Sequence, residues 1–184
     1  MFKKFDPSLV SSTNILKSSH ARSIRNSIVD QFPPVADYID LIWPKKADVV
    51  VGKCRNAERT NIFYIDGLPC FFNTRDVKDS PHIPTLRLLH RFPIILPKMQ
   101  VDRGAIKFAL KGADMMAPGF TSAGGSMDDV EAGQVVAIMA EGKEHAVGVG
   151  IAKKSTSQIR EDNIGIAVEM VHFIGDGLYN ITSL

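Results

Sequence analysis

Three cations recur every fourth residue in VDRGAIKFALKGADMMAPG, residues 101–119: Arg103, Lys107 and Lys111. At i, i+4 and i+8 a helix carries them on one face. Asp102 is suited to the N-cap of such a helix and Gly112 to its C-terminal turn. A one-sided row of cations is the chemistry of phosphate neutralisation. Three charges alone read more simply as a solvated face. The residues after Lys111 favour the phosphate contact. The turn Gly112-Ala113-Asp114 and the pair Pro118-Gly119 let another backbone come close and leave N–H groups free. Ala105, Ile106, Ala109 and Leu110 cover the opposite arc and are expected to pack inward. Met115 and Met116 read as core fillers.

Other chemistry is hard to assemble from this sequence. The five histidines, His20, His82, His90, His145 and His172, show no metal-ligand spacing. His172 alternates with apolar neighbours and is expected to be a satisfied, part-buried strand residue. Cys54 and Cys70 are far apart and form no metal or redox motif, which fits a reduced, intracellular setting. GVGIAK at 148 lacks the third glycine and the following helix of a dinucleotide fingerprint. GFTSAGG misplaces its serine for a nucleophile elbow. Carboxylates are scattered without a base beside them. No catalytic residue, metal or cofactor is expected.

The net charge of +2 hides an uneven distribution. Residues 1–97 hold 14 Lys+Arg against 9 Asp+Glu, and residues 98–184 hold 8 against 11. Within the acidic half, residues 98–111 carry four cations and one anion, a local basic patch on an acidic background. The basic half predicts a second RNA-facing surface of Lys3, Lys4, Arg22, Arg25, Lys45, Lys46, Arg87, His90 and Arg91, or a face that orients the other domain. For any single one of these, plain solvation is the simpler reading. Phe2, Phe5 and Trp43 stay open between core and partner docking. With 45% hydrophobic and 23% charged residues, the composition is that of a soluble globular protein. No apolar run is long enough to cross a bilayer, and MFKKFDPS has no apolar stretch behind its lysines, so a cytoplasmic protein without a secretory signal is expected.

The positioning elements can be read from periodicity. Residues 8–19 are rich in Ser, Thr and Asn and read as a loop or frayed edge. Ala21, Ile24, Ile28 and Phe32 predict a helix ended by Pro33-Pro34, and VADYIDLIWP a second one. ADVVVGK reads as a strand, TNIFYIDGLPCFF as a hairpin on Asp66-Gly67, and residues 73–84 as a polar loop. TLRLLHRF is a short helix capped by Thr85. FPIILPKMQVD is the domain boundary. Beyond it, residues 135–152 form a hairpin turning at 141–144, and AVEMVHFIGDGLYNI supplies two last strands. In the hairpin's second strand, Val147, Val149 and Ile151 face one way, and Ala146, Gly148 and Gly150 the other, as at a tight barrel wall. The expectation is an α+β chain. Residues 1–95 form a mixed α/β domain with a small antiparallel sheet, and residues 98–180 a compact β-barrel with one helix near its start.

VDRGAIKFALKGADMMAPG, GQVVAIMAEGKEHAVGVG and VHFIGDGLY closely resemble a PUA domain, an RNA-binding barrel. QFPPVADYIDLIWPKK, IDGLPCFF and PTLRLLHRFPIILP resemble the first half of the malignant T-cell-amplified sequence family. The resemblance implies a non-catalytic translation factor. Such a factor acts on the small ribosomal subunit as a complex with density-regulated protein. It serves re-initiation, release of deacylated tRNA after termination and unconventional placement of initiator tRNA. Its PUA groove would comprise Arg103, Lys107, Lys111, Gly112, Ala113, Asp114, Pro118 and Gly119, touching ribosomal RNA; direct contact with tRNA stays open. The alternative is an RNA-binding accessory subunit of a tRNA or rRNA modification enzyme, since PUA domains often ride on such enzymes.

Overall fold

A computed structural model describes residues 2–55, 59–75, 77 and 80–183. In the first half the chain runs through a 3-10 turn at Pro7–Leu9, β1 (Val10–Ile15), α1 (Ser18–Gln31), a second 3-10 stretch at Pro33–Tyr38 and α2 (Ile39–Ile42). It continues with β2 (Val49–Cys54), β3 (Thr60–Ile65), β4 (Leu68–Thr74), β5 (Ile83–Pro84) and α3 (Leu86–Arg91). The five strands make one sheet in sequence order, each antiparallel to the next. The β3–β4 turn falls on Asp66 and Gly67, with φ of 49° and 81°. Positive φ at both central residues is what a tight hairpin needs. Thr85 Oγ1 accepts the Leu88 N–H, as an N-cap does.

Two expectations need correction here. Of the two readings of residues 8–19, loop or frayed edge, the loop does not hold: Val10–Ile15 is a paired edge strand beside β2. Five of its six residues are exposed, so no hydrophobic alternation announces it. The polar loop is also shorter than expected, because β4 reaches Thr74 and Ile83–Pro84 pairs with β4. Asp76, Lys78 and Asp79 of that segment lie outside the described residues.

The second half comprises β6 (Lys98–Val101), α4 (Ile106–Ala109), β7 (Met115–Met116), α5 (Ala117–Thr121), β8 (Ser126–Met127), β9 (Val135–Ala140), β10 (Gly148–Ala152), α6 (Thr156–Asp162) and β11 (Ile166–Phe173). The strands form a curled six-stranded sheet in the order β7-β11-β10-β9-β6-β8. The β9–β10 hairpin is present. Instead of one helix there are three among the described residues. The capping box of α6, Ser155 with Gln158, is a sequence signal that periodicity does not carry. Instead of two last strands there is one, β11, followed by turns. The alternation holds only from residue 148. Val149 and Ile151 pack toward the first domain, whereas Val147, just before the strand, packs inside the barrel. A Cβ on Gly150 would stand 2.7 Å from the Glu169 carbonyl, so β10 and β11 approach through that gap.

One apolar core joins the halves. Val135, Ala137, Met139, Val149, Val171, Leu178 and Ile181 belong to the same buried cluster as Phe2, Phe5, Trp43 and Phe72. Phe2, Phe5 and Trp43 are thus core residues. At the seam His172 is fully buried, not part-buried, between the rings of Phe2 and Phe72. Its Nδ1 donates to Asp176 at 2.8 Å. Cys54 and Cys70 are buried free thiols, and burial pushes the pKa of each up to about 11. No described helix is long and apolar enough to cross a membrane.

Candidate nucleic-acid interface

β6 delivers the chain to the basic segment, and α5 holds it there. The Asp102 N–H donates to the Gly119 carbonyl at 2.8 Å, and the Glu141 N–H to the Val101 carbonyl at 3.0 Å. Asp102 Oδ1 accepts the Ala105 N–H at 2.9 Å, so Asp102 closes the turn ahead of the helix, whose own N-cap is Ala105, not Asp102. The helix proper is a single turn, shorter than the 102–111 helix expected, with turns on either side. Gly112 ends it at φ 68°. The Ala113 N–H reaches the Phe108 carbonyl and the Gly112 N–H the Ala109 carbonyl, a complete Schellman closure.

The three cations are all exposed. Arg103 has an 82% exposed side chain. Its backbone N–H donates to Glu141 at 2.8 Å, and its guanidinium lies 4.0 Å from the same carboxylate. An ion pair so exposed contributes about 0–1 kcal/mol and yields easily to another anion. The Lys107 ammonium stands 5.0 Å from the centre of the Phe108 ring. Of the apolar arc, Ala109 is buried and Ala105 and Ile106 pack on the barrel core, but Leu110 is 46% exposed. The helix ends too soon to turn Leu110 inward.

Beside this segment lies a groove of about 400 Å³, walled by the α4 turn on one side and by β7 and the start of α5 on the other. Ala113, Asp114, Pro118 and Gly119 line it; Arg103, Lys107, Lys111 and Gly112 do not, although their own segment forms its wall. The two glycines serve the fold more directly than expected. A Cβ on Gly112 would enter the Phe173 ring, and one on Gly119 would stand 3.3 Å from Ala105 Cβ. Asp114 Oδ1 accepts the Met170 N–H at 2.9 Å, fixing the wall to β11. Met115 is core, but Met116 is 50% and Phe108 51% exposed, and both line the groove. Sequence reading misses these two: Met116 is taken as a core filler, and Phe108 belongs to neither the basic face nor the apolar arc.

The cations expected on a second basic surface are distributed over two grooves and the open surface. Arg22, Arg25 and Lys45 share a groove of about 390 Å³ beside Trp43 and Pro44. There Arg25 donates to the Trp43 carbonyl at 3.0 Å and pairs with Asp40. Arg87, His90 and Arg91 line another groove, which shares no lining residue with the first. Arg87 is committed to the seam: it donates to the Tyr179 carbonyl at 2.8 Å and stacks 4.5 Å over the Tyr179 ring. His90 Nε2 faces the Ala146 carbonyl at 2.8 Å and must donate to it. Burial pulls the His90 pKa down, opposing a cationic role. Lys3, Lys4 and Lys46 are exposed. A further groove, of about 1320 Å³, runs along the domain seam and gathers none of these residues.

Residues 4–93 match the Pre-PUA-like domain and residues 97–174 the PUA domain. The fold and groove thus define a PUA-domain protein with a Pre-PUA-like domain ahead of the barrel. The chain is 47% identical to malignant T-cell-amplified sequence 1 of Danio rerio over 182 residues, 98% of each chain. It is 43% identical to malignant T-cell-amplified sequence 2 of Homo sapiens over the same share. The chain belongs to the malignant T-cell-amplified sequence family. A solved structure of a hypothetical protein from Pyrococcus horikoshii shares the fold, with a TM-score of 0.74, 23% identity and coverage of 94% of this chain and 100% of that one.

Proposed function

We propose that the protein is a non-catalytic, RNA-binding translation factor of the cytoplasm. It acts on the small ribosomal subunit as a complex with density-regulated protein, in re-initiation, release of deacylated tRNA after termination and unconventional placement of initiator tRNA. The observation that carries this reading is the exposed run of Arg103, Lys107 and Lys111 on the wall of the PUA groove, in a chain of this family. Three phosphates held there make binding steeply salt-dependent and read backbone and shape more than base sequence. Among the described residues no cluster of His, Cys, Asp or Glu suits a metal ion. The test is co-sedimentation of the full chain with purified small and large ribosomal subunits, with and without density-regulated protein. Pelleting with small subunits alone is the expected result. No pelleting under any condition, together with a new modified nucleoside in tRNA incubated with the chain, would replace this reading by the modification-enzyme one.

A further inference from the structure

An open sheet edge is a template on which another chain can pair. Of the four strands that end the two sheets, β5, β7 and β8 are two residues long each, and β1 is six. Natural edges of that length are guarded by charges, proline or bulges. Val10–Ile15, VSSTNI, holds no charge and no proline. Its bulge, between Val10 and Ser12, leaves Ser12–Ile15 in regular register. Residues 11–15 are all exposed, Ile15 at 81%. The Leu16 N–H donates to the Val49 carbonyl at 2.9 Å. Main-chain groups alternate along a strand. Asn14 and Ser12 therefore turn theirs toward β2 as Leu16 does, and Thr13 and Ile15 turn theirs away. No described strand pairs with that outer side. This edge shares no residue with the PUA groove.

Cations stand at both ends of the edge. At the Ile15 end, Leu16 and Ser18 line the groove of about 390 Å³ together with Arg22, Arg25 and Lys45, and no carboxylate lines it. Arg25 is held by the Trp43 carbonyl and Asp40, which leaves the exposed Arg22 and Lys45 to a ligand. At the Val10 end, Lys53 pairs with Ser12, and the Arg55 N–H donates to the Leu9 carbonyl at 2.8 Å; both side chains are exposed. RNA answers the cations but has no ladder of N–H and C=O groups for Thr13 and Ile15. A second copy has the ladder. Antiparallel pairing of two β1 strands, however, sets Arg22 and Lys45 of one chain toward Lys53 and Arg55 of the other, like charge against like. An extended, acidic segment of a partner protein answers both features. We propose that β1 docks such a segment as a sixth strand of the first sheet, bonded to Thr13 and Ile15, with its carboxylates in the groove at Arg22 and Lys45.

The test is fluorescence anisotropy of the full chain with a labelled peptide of alternating threonine and valine that ends in glutamates. Comparison peptides end in glutamines instead, or carry a methyl group on every second backbone nitrogen, in either phase. Thr13→Pro, Thr13→Ala and Arg22→Gln/Lys45→Gln are compared with wild type after their unfolding curves are matched. Thr13→Pro removes an outward N–H and no hydrogen bond of the fold. Wild type is expected to bind the glutamate peptide, Thr13→Ala to match it, and Thr13→Pro to lose about tenfold. One phase of methylation should lose as much, which tests the pairing even if the proline variant fails to fold. Arg22→Gln/Lys45→Gln and the glutamine peptide should each lose about fivefold. Binding that survives Thr13→Pro and both methylated peptides, and that oligouridylate displaces, would make this a polyanion groove and overturn the docked strand. Equal binding of the glutamate and glutamine peptides would overturn the acidic partner. No binding of any peptide by wild type overturns the proposal outright, and a dimer on sedimentation that Thr13→Pro abolishes would then assign the edge to a second copy.

Discussion

Asp176→Ala is expected to lower the free energy of unfolding by about 3–5 kcal/mol, the range for leaving buried polar partners stranded. The Asp176 carboxylate is buried and fully used. Oδ2 accepts from His172 Nδ1 at 2.8 Å and from the Phe173 N–H at 3.0 Å, and Oδ1 accepts from the Tyr179 N–H at 2.8 Å. Removing it strands three donors. The His172 ring would suffer most, because its Nε2 has no partner among the described residues and Phe2 and Phe72 pack around it. The loss should spread beyond the barrel, since this seam is continuous with the first domain's core. Trp43, the single tryptophan, lies in that core and reports on it. Urea unfolding followed by Trp43 fluorescence and by circular dichroism should show one coincident transition, moved to lower urea in the variant. Asp176→Asn keeps an acceptor oxygen and should lose only about 1–2 kcal/mol. Equal losses for Asn and Ala would show that the hydrogen bonds are not what the carboxylate contributes.

Gly112→Ala is expected to cost about 2–4 kcal/mol, through two separable causes. The left-handed backbone at φ 68° costs an L-residue about 1–2 kcal/mol. The added Cβ would also stand 2.7 Å from Phe173 Cδ1 and closer still to the ring edge, so a buried ring must move. Gly142→Ala isolates the first cause, because its φ is 74° and a Cβ there meets nothing within 4 Å. The two variants, unfolded side by side, should differ by the cost of displacing Phe173. If both lose the same amount, the ring yields freely and Gly112 is present for backbone geometry alone.

Legibility tracks the strength of the local signal. The Asp66-Gly67 hairpin, the Thr85 cap, the helix from Ser18 to Gln31 and the β9–β10 hairpin are readable because turn chemistry or periodicity specifies each one within a few residues. β1 is not, because an edge strand with five exposed residues carries no buried face to alternate. The basic segment is legible as a composition but not as a shape. A helix wheel presumes a helix, and one helical turn with a Schellman end leaves Leu110 outside and gives the glycine to Phe173. Arg87 and His90 read as surface cations because their partners, Tyr179 and Ala146, are 92 and 56 residues away. Long-range commitments of this kind have no signature in a single sequence. The same holds for Phe108 and Met116, whose exposure depends on where the barrel ends beneath them.

If the α4 edge of the PUA groove holds RNA phosphates, removing its charges must weaken both the binding and its dependence on salt. The decisive measurement is binding to purified small ribosomal subunits over a series of salt concentrations, for wild type and Arg103→Gln/Lys107→Gln/Lys111→Gln. Glutamine avoids setting a new carboxylate against Glu141, 2.8 Å from the Arg103 N–H. The variant is expected to bind more weakly, with the slope of log affinity against log salt shallower by about 2–3 than in wild type, at an unchanged unfolding curve. Equal affinity and an equal slope in the two proteins would contradict a phosphate contact on this edge.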